Sequence, residues 1–408
     1  MKHSLLLVSI LLSCSLFCMA QQSEKLIDTT KMKALEIYGF VMTDVGYNFD
    51  QINPNWFDAM RITKLPSYKD QFAPDGKVFF GIRQSRFGVK GYTSTPIGEL
   101  KTVFEFDLFG TGVDEGQTTM RLRHIYAELG RIAIGQTNSP FMDGDVWPNT
   151  IEYWGPSGMV FFRNIQLRYA IMQGKNELFV ALERPGASAD QGSYDDRIEL
   201  DSVRGRLKLP DFSAHYKRSG DWGHIQIAGM LRDLRWEDTH TTGGYDVSGS
   251  VVGWGGHFST VLNLGASNVF RGSFVYGHGI QNYMQDAPVD VGVKVQPGNT
   301  AEPFTGEALP IYGIHAFLDH NWNSKLSTSI GYSSVHIENT DAAAPSAYRM
   351  GQYAIVNFVS VPFPNALAAI EFQWGRRSNF TDDFHSDIFK IHLGFKYNFS
   401  QIFYRNRE

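Results

Sequence analysis

Cysteine is almost missing: the 408-residue chain has two, Cys14 and Cys18, both in its first twenty residues. That opening reads as a secretory leader. Lys2 and His3 precede the uncharged apolar run Leu5–Phe17, and Met19-Ala20-Gln21 offers a small residue for cleavage after Ala20. Phe17 is too bulky to precede a lipidated Cys18, so a lipoprotein anchor is disfavoured. With residues 1–20 removed, the mature chain holds no disulfide, thiol nucleophile or thiolate metal site. An excess of basic residues is lacking too. There are 37 Lys and Arg against 42 Asp and Glu, and losing Lys2 takes the mature chain to about −6, which gives no footing for nucleic acid. Beyond the leader no apolar run reaches the roughly 18–20 residues of a spanning helix. HExxH spacings and heptads are absent. Gly253-Trp254-Gly255-Gly256 sits in a strand pattern with no helix behind it, so it is no phosphate loop.

What the chain does have is glycine (40 residues), aromatics (14%) and strict alternation. In Phe389–Phe399 the residues Phe389, Ile391, Leu393, Phe395, Tyr397 and Phe399 take one side. Lys390, His392, Gly394, Lys396 and Asn398 take the other, the period-two signature of a half-buried strand. Its length matches the roughly 9–11 residues of a tilted strand crossing a membrane. The same division recurs elsewhere. Ile165, Leu167 and Tyr169 oppose Gln166 and Arg168; Ile225, Ile227 and Leu231 oppose His224, Gln226 and Arg232. Phe104, Phe106 and Leu108 oppose Glu105 and Asp107. A soluble sandwich can alternate in this way. Many strands with one consistent greasy side, in an exported chain without helices, instead predict an all-β protein: a closed antiparallel transmembrane β-barrel.

Connections alternate between short (near Gly130-Arg131, Gln173–Lys175 and Pro362–Asn365) and long (Asn138–Gly158, Arg184–Pro210, Gln281–Ala308), the habit of outer-membrane barrels. With both ends on the periplasmic side the strand count must be even. Reading Ile198–Leu209 as a strand would give seventeen, so it is assigned to an outer loop and strand eight begins near Phe212. Sixteen strands result, enough for an aqueous lumen. The predicted layout is a leader at 1–20, a short periplasmic segment at 21–34, the barrel at 35–399 and a tail at 400–408.

Arg121 and Arg123, two apart, share a face of strand four. The loop after strand five, Asn138–Gly158, carries Asp143, Asp145 and Glu152 among three prolines and two tryptophans. Stiffened by proline and folded inward, it would oppose acids to arginines and sort solutes by charge and size. Left outside, it would be an ordinary solvated loop. Arg86 is read as lumen-facing, whereas Arg83 needs a bulge before both can face inward. Asp143-Gly144-Asp145 alone offers too few oxygens for Ca²⁺. No cofactor and no metal is expected.

The run RLRHIYAELGRIAIGQTNSPFMD (Arg121–Asp143), continuing through Gly155-Pro156-Ser157-Gly158, resembles the DcaP-like trimeric porins. So do YGFV (Tyr38–Val41), RQSRFGVKG (Arg83–Gly91), EFDLFG (Glu105–Gly110) and SGDWGHIQIAGMLRDL (Ser219–Leu234). The likeness covers essentially the whole mature chain. It implies a bacterial outer-membrane location, a sixteen-stranded barrel, a homotrimer, an inward-folded third loop and passive uptake of small anionic solutes or dicarboxylates. Carried over, Arg121, Arg123 and Arg168 line the basic wall, joined by Arg86 and Arg232. Asp143, Asp145 and Glu152 form the acidic loop, and Glu105 and Asp107 are the lumen acids. Outer-membrane lipid and lipopolysaccharide would surround the barrel. Two features depart from the family pattern: Ser400–Glu408 follows the last aromatic strand, and Gln21–Leu35 is too short for an N-terminal coiled coil. The competing readings are a barrel enzyme such as a lipid hydrolase, for which no Ser/His pair stands out, and a surface adhesin.

Overall fold

Alternation needs a partner on each side of every strand, because a backbone edge facing lipid would leave amides and carbonyls without hydrogen bonds. The computed structural model, which describes residues 32–404 apart from 198 and 241–244, meets this demand by closing a ring. The first strand, β1 (Met32–Asn48), pairs on one edge with the last, β21 (His385–Tyr404), from Ala34↔Tyr404 to Asn48↔Lys390. Its other edge pairs with β2 (Lys77–Gly81) and β3 (Arg86–Thr95). Between Gly81 and Arg86 lie four residues opposite only three of β1, so β2 and β3 are one barrel strand broken by a bulge.

The ring continues through β4 (Gly98–Phe109), β5 (Thr118–Leu129), β6 (Ile132–Asn138), β7 (Arg163–Met172) and β8 (Asn176–Glu183). β9 (Ala189–Asp190) and β10 (Val203–Gly205) stand outside the ring, and β10 only extends the pairing at the outer end of β12. The ring resumes with β11 (Asp211–Gly220), β12 (Gly223–Asp238), β13 (Gly249–Leu264) and β14 (Asn268–His278). β15 (Val291–Val295) and β16 (Phe304–Ala308) form an outer hairpin joined in parallel by β9. β17 (Pro310–Asn321), β18 (Leu326–Ile337), β19 (Tyr348–Ser360) and β20 (Ala366–Asn379) complete the circuit. The barrel has sixteen antiparallel strands, and the eighth begins at Asp211, beside the expected Phe212.

Two boundaries shift. β1 begins at Met32, three residues before the predicted start, and β21 runs on through Tyr404. Ser400–Tyr404 is therefore strand and not tail: Ala34–Tyr38 of β1 extend alongside it and supply its backbone partners. The predicted leader, residues 21–31 and residues 405–408 lie outside the described residues.

The phase of the strands is as predicted. On β21, Phe389 and Phe395 are 56% and 46% exposed on the outer wall, while Lys390 and His392 inside are 1% and 0% exposed. Outward Ile227 and Leu231 likewise flank inward Gln226 and Arg232 on β12.

The lumen is not an open tube. Loop one (49–76), loop three (139–162) and the segment 279–290 turn inward and share a dry core. Ile52, Met60 and Ile62 meet Phe141, Met142, Tyr283 and Met284, packed against Ile311, Val335, Tyr353 and Ile388 of the wall. Each such side chain withdrawn from water stabilises the packing by about 1.5–3 kcal/mol. No periodicity marked loop one for the interior, since loops carry none.

The alternation of β21 sets a test of the lipid face. Phe395→Arg should cost roughly 2–4 kcal/mol if it sits near the bilayer midplane and should deplete the heat-modifiable barrel on gels. Lys396→Gln, facing the lumen, should leave the barrel band unchanged. Equal bands for both would reverse the assigned phase.

Candidate pore constriction

Loop three leaves the wall after β6 and crosses the lumen in three stretches. In the first, imidazoles of β11 and β13 and an amide of β12 between them donate to its carbonyls. His215 Nδ1 donates to Pro140 O and His257 Nδ1 to Phe141 O, both at 2.9 Å, and Gln226 Nε2 donates to Met142 O at 3.1 Å. Asp143 is buried and receives His224 Nε2 at 2.7 Å, Ser259 Oγ at 2.8 Å and the Lys217 ammonium at 3.4 Å. Asp145 is exposed and pairs with the same Lys217. In the second stretch Glu152, buried, takes Met60 N at 2.7 Å and Trp154 N at 3.0 Å and pairs with Lys390 at 3.2 Å. In the third, Tyr153 stacks on Phe109 at 4.2 Å and Trp154 meets Trp56 edge-on at 4.5 Å. Gly158 then lies flat on the wall. A Cβ there would come within 2.2 Å of Ser334 O and 2.4 Å of Ile314 O, so only glycine permits this approach.

The opposite wall is a guanidinium–carboxylate lattice. Asp107, fully buried, accepts Arg121 Nη2 and Arg123 Nη1, each at 2.8 Å. Glu105 accepts Arg123 Nε and the Tyr38 hydroxyl, both at 2.9 Å, with Arg86 Nε 3.6 Å away. Between Leu122 and His124 the β4–β5 register slips, making Arg123 the extra residue of a bulge. His124 therefore also turns inward and meets Thr137 Oγ1 at 3.1 Å. Tyr153 of loop three bonds to this lattice through Arg123 Nη1 at 3.0 Å.

Of the residues singled out from sequence, Arg86, Arg121, Arg123, Glu105 and Asp107 come together beside loop three. Arg168 does not join them: it pairs with Glu128 at 3.2 Å, across β6 near the short-turn end. Arg232 is also apart, fully buried between Asp211 (3.1 Å) and Asp290 (2.8 Å), where it holds the 279–290 segment. Arg83 points inward through the bulge but is bound to Asp58 of loop one. The loop acids do not face the arginines as an acidic edge, because Asp143 and Glu152 are turned to the wall as anchors. Burying a carboxylate is affordable only where donors surround it.

A chamber of about 840 Å³ remains between loop three and this wall. Its charged lining consists of Arg61, Arg86, Arg121, Arg123, Arg163 and Lys396 against Glu115 and Glu152. Arg61, Arg163 and Lys396 were not singled out from sequence. Lys396 lies on the polar face of β21, so its inward direction was readable. Arg163 has the same parity as lipid-facing Ile165, and Arg61 belongs to a loop without period; neither left a signal. Among the described residues, Arg163 and Lys396 have no carboxylate within ion-pair distance. The ligand atoms of Asp143, Asp145 and His224 lie within 4.8 Å of one another. Lys217 already supplies the positive charge of that group.

The family described as DcaP outer membrane protein matches residues 18–399. No curated protein matches by sequence. Among solved structures, the outer membrane channel DcaP of Acinetobacter baumannii is similar at 19% identity and TM-score 0.76, covering 90% of this chain and 98% of that one. An anion-selective porin from Comamonas acidovorans superposes at TM-score 0.57 and 9% identity, over 90% and 100% of the two chains. A trimer form of OmpT from Vibrio cholerae does so at 0.52 and 12%, with the same coverage.

The anchors of loop three set a pH dependence. Burial opposes charge on Asp143, yet the His224 hydrogen bond and Lys217 hold its carboxyl well below the usual range. Burial likewise opposes charge on Glu152, and Lys390 and His392 outweigh it. A carboxyl lowered on folding adds stability above its unfolded value near pH 4, and that stability is lost as pH falls toward the lower folded value. These two anchors should therefore hold from neutral pH down to about 4 and be lost only in stronger acid, a change that single-channel conductance below about pH 4 would register. Asp143→Asn should bring that change to higher pH.

Proposed function

We propose, from the premise that this chain belongs to the DcaP outer membrane protein family, that it is a passive channel favouring small anionic solutes, dicarboxylates among them. It is an outer-membrane β-barrel channel of the porin type. The observation that carries the finer reading is the chamber lining of six cations against two carboxylates. Glu105 and Asp107 behind that lining reduce the excess but leave it positive. Fields in a narrow, partly dry passage act at short range. At an effective dielectric near 20, two unit charges 4 Å apart interact by about 4 kcal/mol. Screening at physiological salt sets in over about 8 Å. The acids on outer loops that make the whole chain negative are thus too distant to set selectivity, while Arg163 and Lys396 are near enough.

Guanidinium groups receive carboxylates through paired N–H donors, which suits a solute with two acidic ends. A conducting site must also release what it binds, so contacts with several weakly competing cations serve better than one tight clamp. The fold neighbour from Comamonas acidovorans is named as anion-selective, and the Vibrio cholerae neighbour as a trimer. Both support the same reading here: an anion-preferring channel working as a homotrimer, set in outer-membrane lipid and lipopolysaccharide. The predicted leader at 1–20 supplies the export this location requires.

The test is the reversal potential of the purified protein in a planar bilayer under a salt gradient. Wild type should prefer anions in dilute salt, and the preference should shrink as salt rises. Arg163→Gln with Lys396→Gln should move the reversal potential toward cation preference without loss of barrel. Arg121→Gln with Arg123→Gln should do the same but also weaken folding, since buried Asp107 would lose both of its guanidinium partners and Glu105 one of its two. An unchanged reversal potential in the first double variant would overturn the anion reading.

A further inference from the structure

The tip of loop three, residues 149–152, is held by several wall residues, and one of them takes two of its consecutive backbone amides. Glu371, on the inward face of β20, is 0% exposed. Its Oε1 accepts Ile151 N at 2.6 Å and its Oε2 accepts Glu152 N at 3.0 Å. Two consecutive backbone amides aimed at one carboxylate make a small anion nest, here filled by a protein side chain. The carboxylate is itself fixed from both flanks. Asn357 Nδ2 donates to Oε1 at 3.0 Å and Gln373 Nε2 to Oε2 at 2.9 Å.

The flanking residues are tied in turn. Asn357 Oδ1 accepts Ser329 N at 2.7 Å, and its Nδ2 also donates to Asn149 O at 2.8 Å. Asn149 Nδ2 donates to Ser327 Oγ at 3.0 Å, and Gln84 Nε2 donates to Ile151 O at 3.1 Å. On the neighbouring strand Lys390 pairs with Glu152 at 3.2 Å, and His392 Nε2 lies 2.9 Å from Asp44. The chamber begins immediately beyond, with Thr150, Ile151, Glu152 and Tyr153 forming part of its edge.

We propose that Glu371 is the positioning residue that sets the width of the passage, by clasping the amides of Ile151 and Glu152 and so fixing how far loop three stands from the arginine wall. Glu371 makes no contact with the chamber and never meets solute. Its effect reaches solute through the loop: the Tyr153–Arg123 contact and the Glu152–Lys390 pair both depend on where residues 151–152 are held. A carboxylate is required because both of its oxygens must accept. Glutamine would turn one NH₂ toward a backbone N–H, two donors facing each other without an acceptor. Aspartate keeps the charge but is one methylene too short to reach both amides unless the loop moves toward the wall.

The inference rests on the chamber being the conducting path, and the experiment separates the two. Purified wild type, Glu371→Gln, Glu371→Asp and Asn357→Ala would be compared for heat-modifiable barrel on gels. They would then be compared for single-channel conductance, reversal potential and the swelling rate of proteoliposomes in neutral sugars of increasing size. With barrel content equal, Glu371→Gln should give roughly twofold higher and noisier conductance and admit larger sugars than wild type. Asn357→Ala should shift in the same direction by less. Glu371→Asp should keep the loop docked but draw it toward β20 and away from the arginine wall, raising conductance and the sugar limit by less than Glu371→Gln and without the added noise. A residue needed only for folding would lower the amount of barrel without changing the size limit of what remains. Should Glu371→Gln fail to form barrel, Asn357→Ala and Glu371→Asp carry the test. Wild-type conductance and sugar limit in every variant that folds would overturn the clasp. If those variants keep wild-type behaviour while Arg163→Gln with Lys396→Gln still shifts the reversal potential, the channel reading stands and only the clasp fails.

Discussion

Closure of the ring is the constraint on which everything else depends. Hydrocarbon offers backbone amides no partner, so a strand in a membrane must be paired along both edges. The register from Ala34↔Tyr404 to Asn48↔Lys390 joins the two ends of the chain and removes the last free edge. Once the ring exists, alternation acquires a meaning it lacks in an isolated strand: odd and even residues become lipid face and lumen face. The aromatic and aliphatic residues of β21 then lie outside, and Lys390, His392 and Lys396 have nowhere to go but in.

Sixteen strands enclose more space than wall side chains can fill, and three inward-turned loops take up the excess. Their apolar residues make a core inside the barrel, which leaves their polar groups to be paired in dry surroundings. Buried ions are expensive unless donors and counter-charges surround them, which is why they occur here as lattices and not as single pairs. Arg123 bridges Glu105 and Asp107, and Arg232 bridges Asp211 and Asp290. Asp143 gathers His224, Lys217 and Ser259. Removing one member of such a set strands the others, so these groups fix loop position as well as charge.

An electrostatic asymmetry follows. The acids of loop three are consumed in anchoring it, and those of β4 in holding Arg121 and Arg123. Of the cations that line the chamber, Arg163 and Lys396 are the two without an ion-pair partner among the described residues. A chain that is negative overall thus lines this chamber with more cations than carboxylates. The backbone contributes too. Loop three can lie on β17 and β18 only because Gly158 brings no Cβ between two carbonyls.

The sequence by itself determined the strands, their phase and their number. Those depend on a local period of two and on the contrast between short and long connections, both legible one residue at a time. Parity of the strand count sufficed to keep Ile198–Leu209 out of the ring. The sequence also pointed to Arg86, Arg121, Arg123, Glu105 and Asp107 as lumen residues, because each lies opposite a lipid-facing neighbour on a regular strand. Only the tertiary structure decided which of these meet. Arg168 and Arg232 have the right phase but lie at other places in the barrel, and distance along the pore leaves no trace in periodicity. Asp143 and Glu152 could be seen as loop acids, but their direction depends on His224 and Lys390, 81 and 238 residues away. Arg61 is placed by an aperiodic loop, and Arg163 opens β7 with the parity of lipid-facing Ile165 yet lines the chamber. The bulge at Arg123, the inward fold of loop one and the reach of Glu371 to Ile151 are likewise products of long-range packing. Alternation fixes which side of the wall a residue takes; only the packing of distant segments fixes what it meets there.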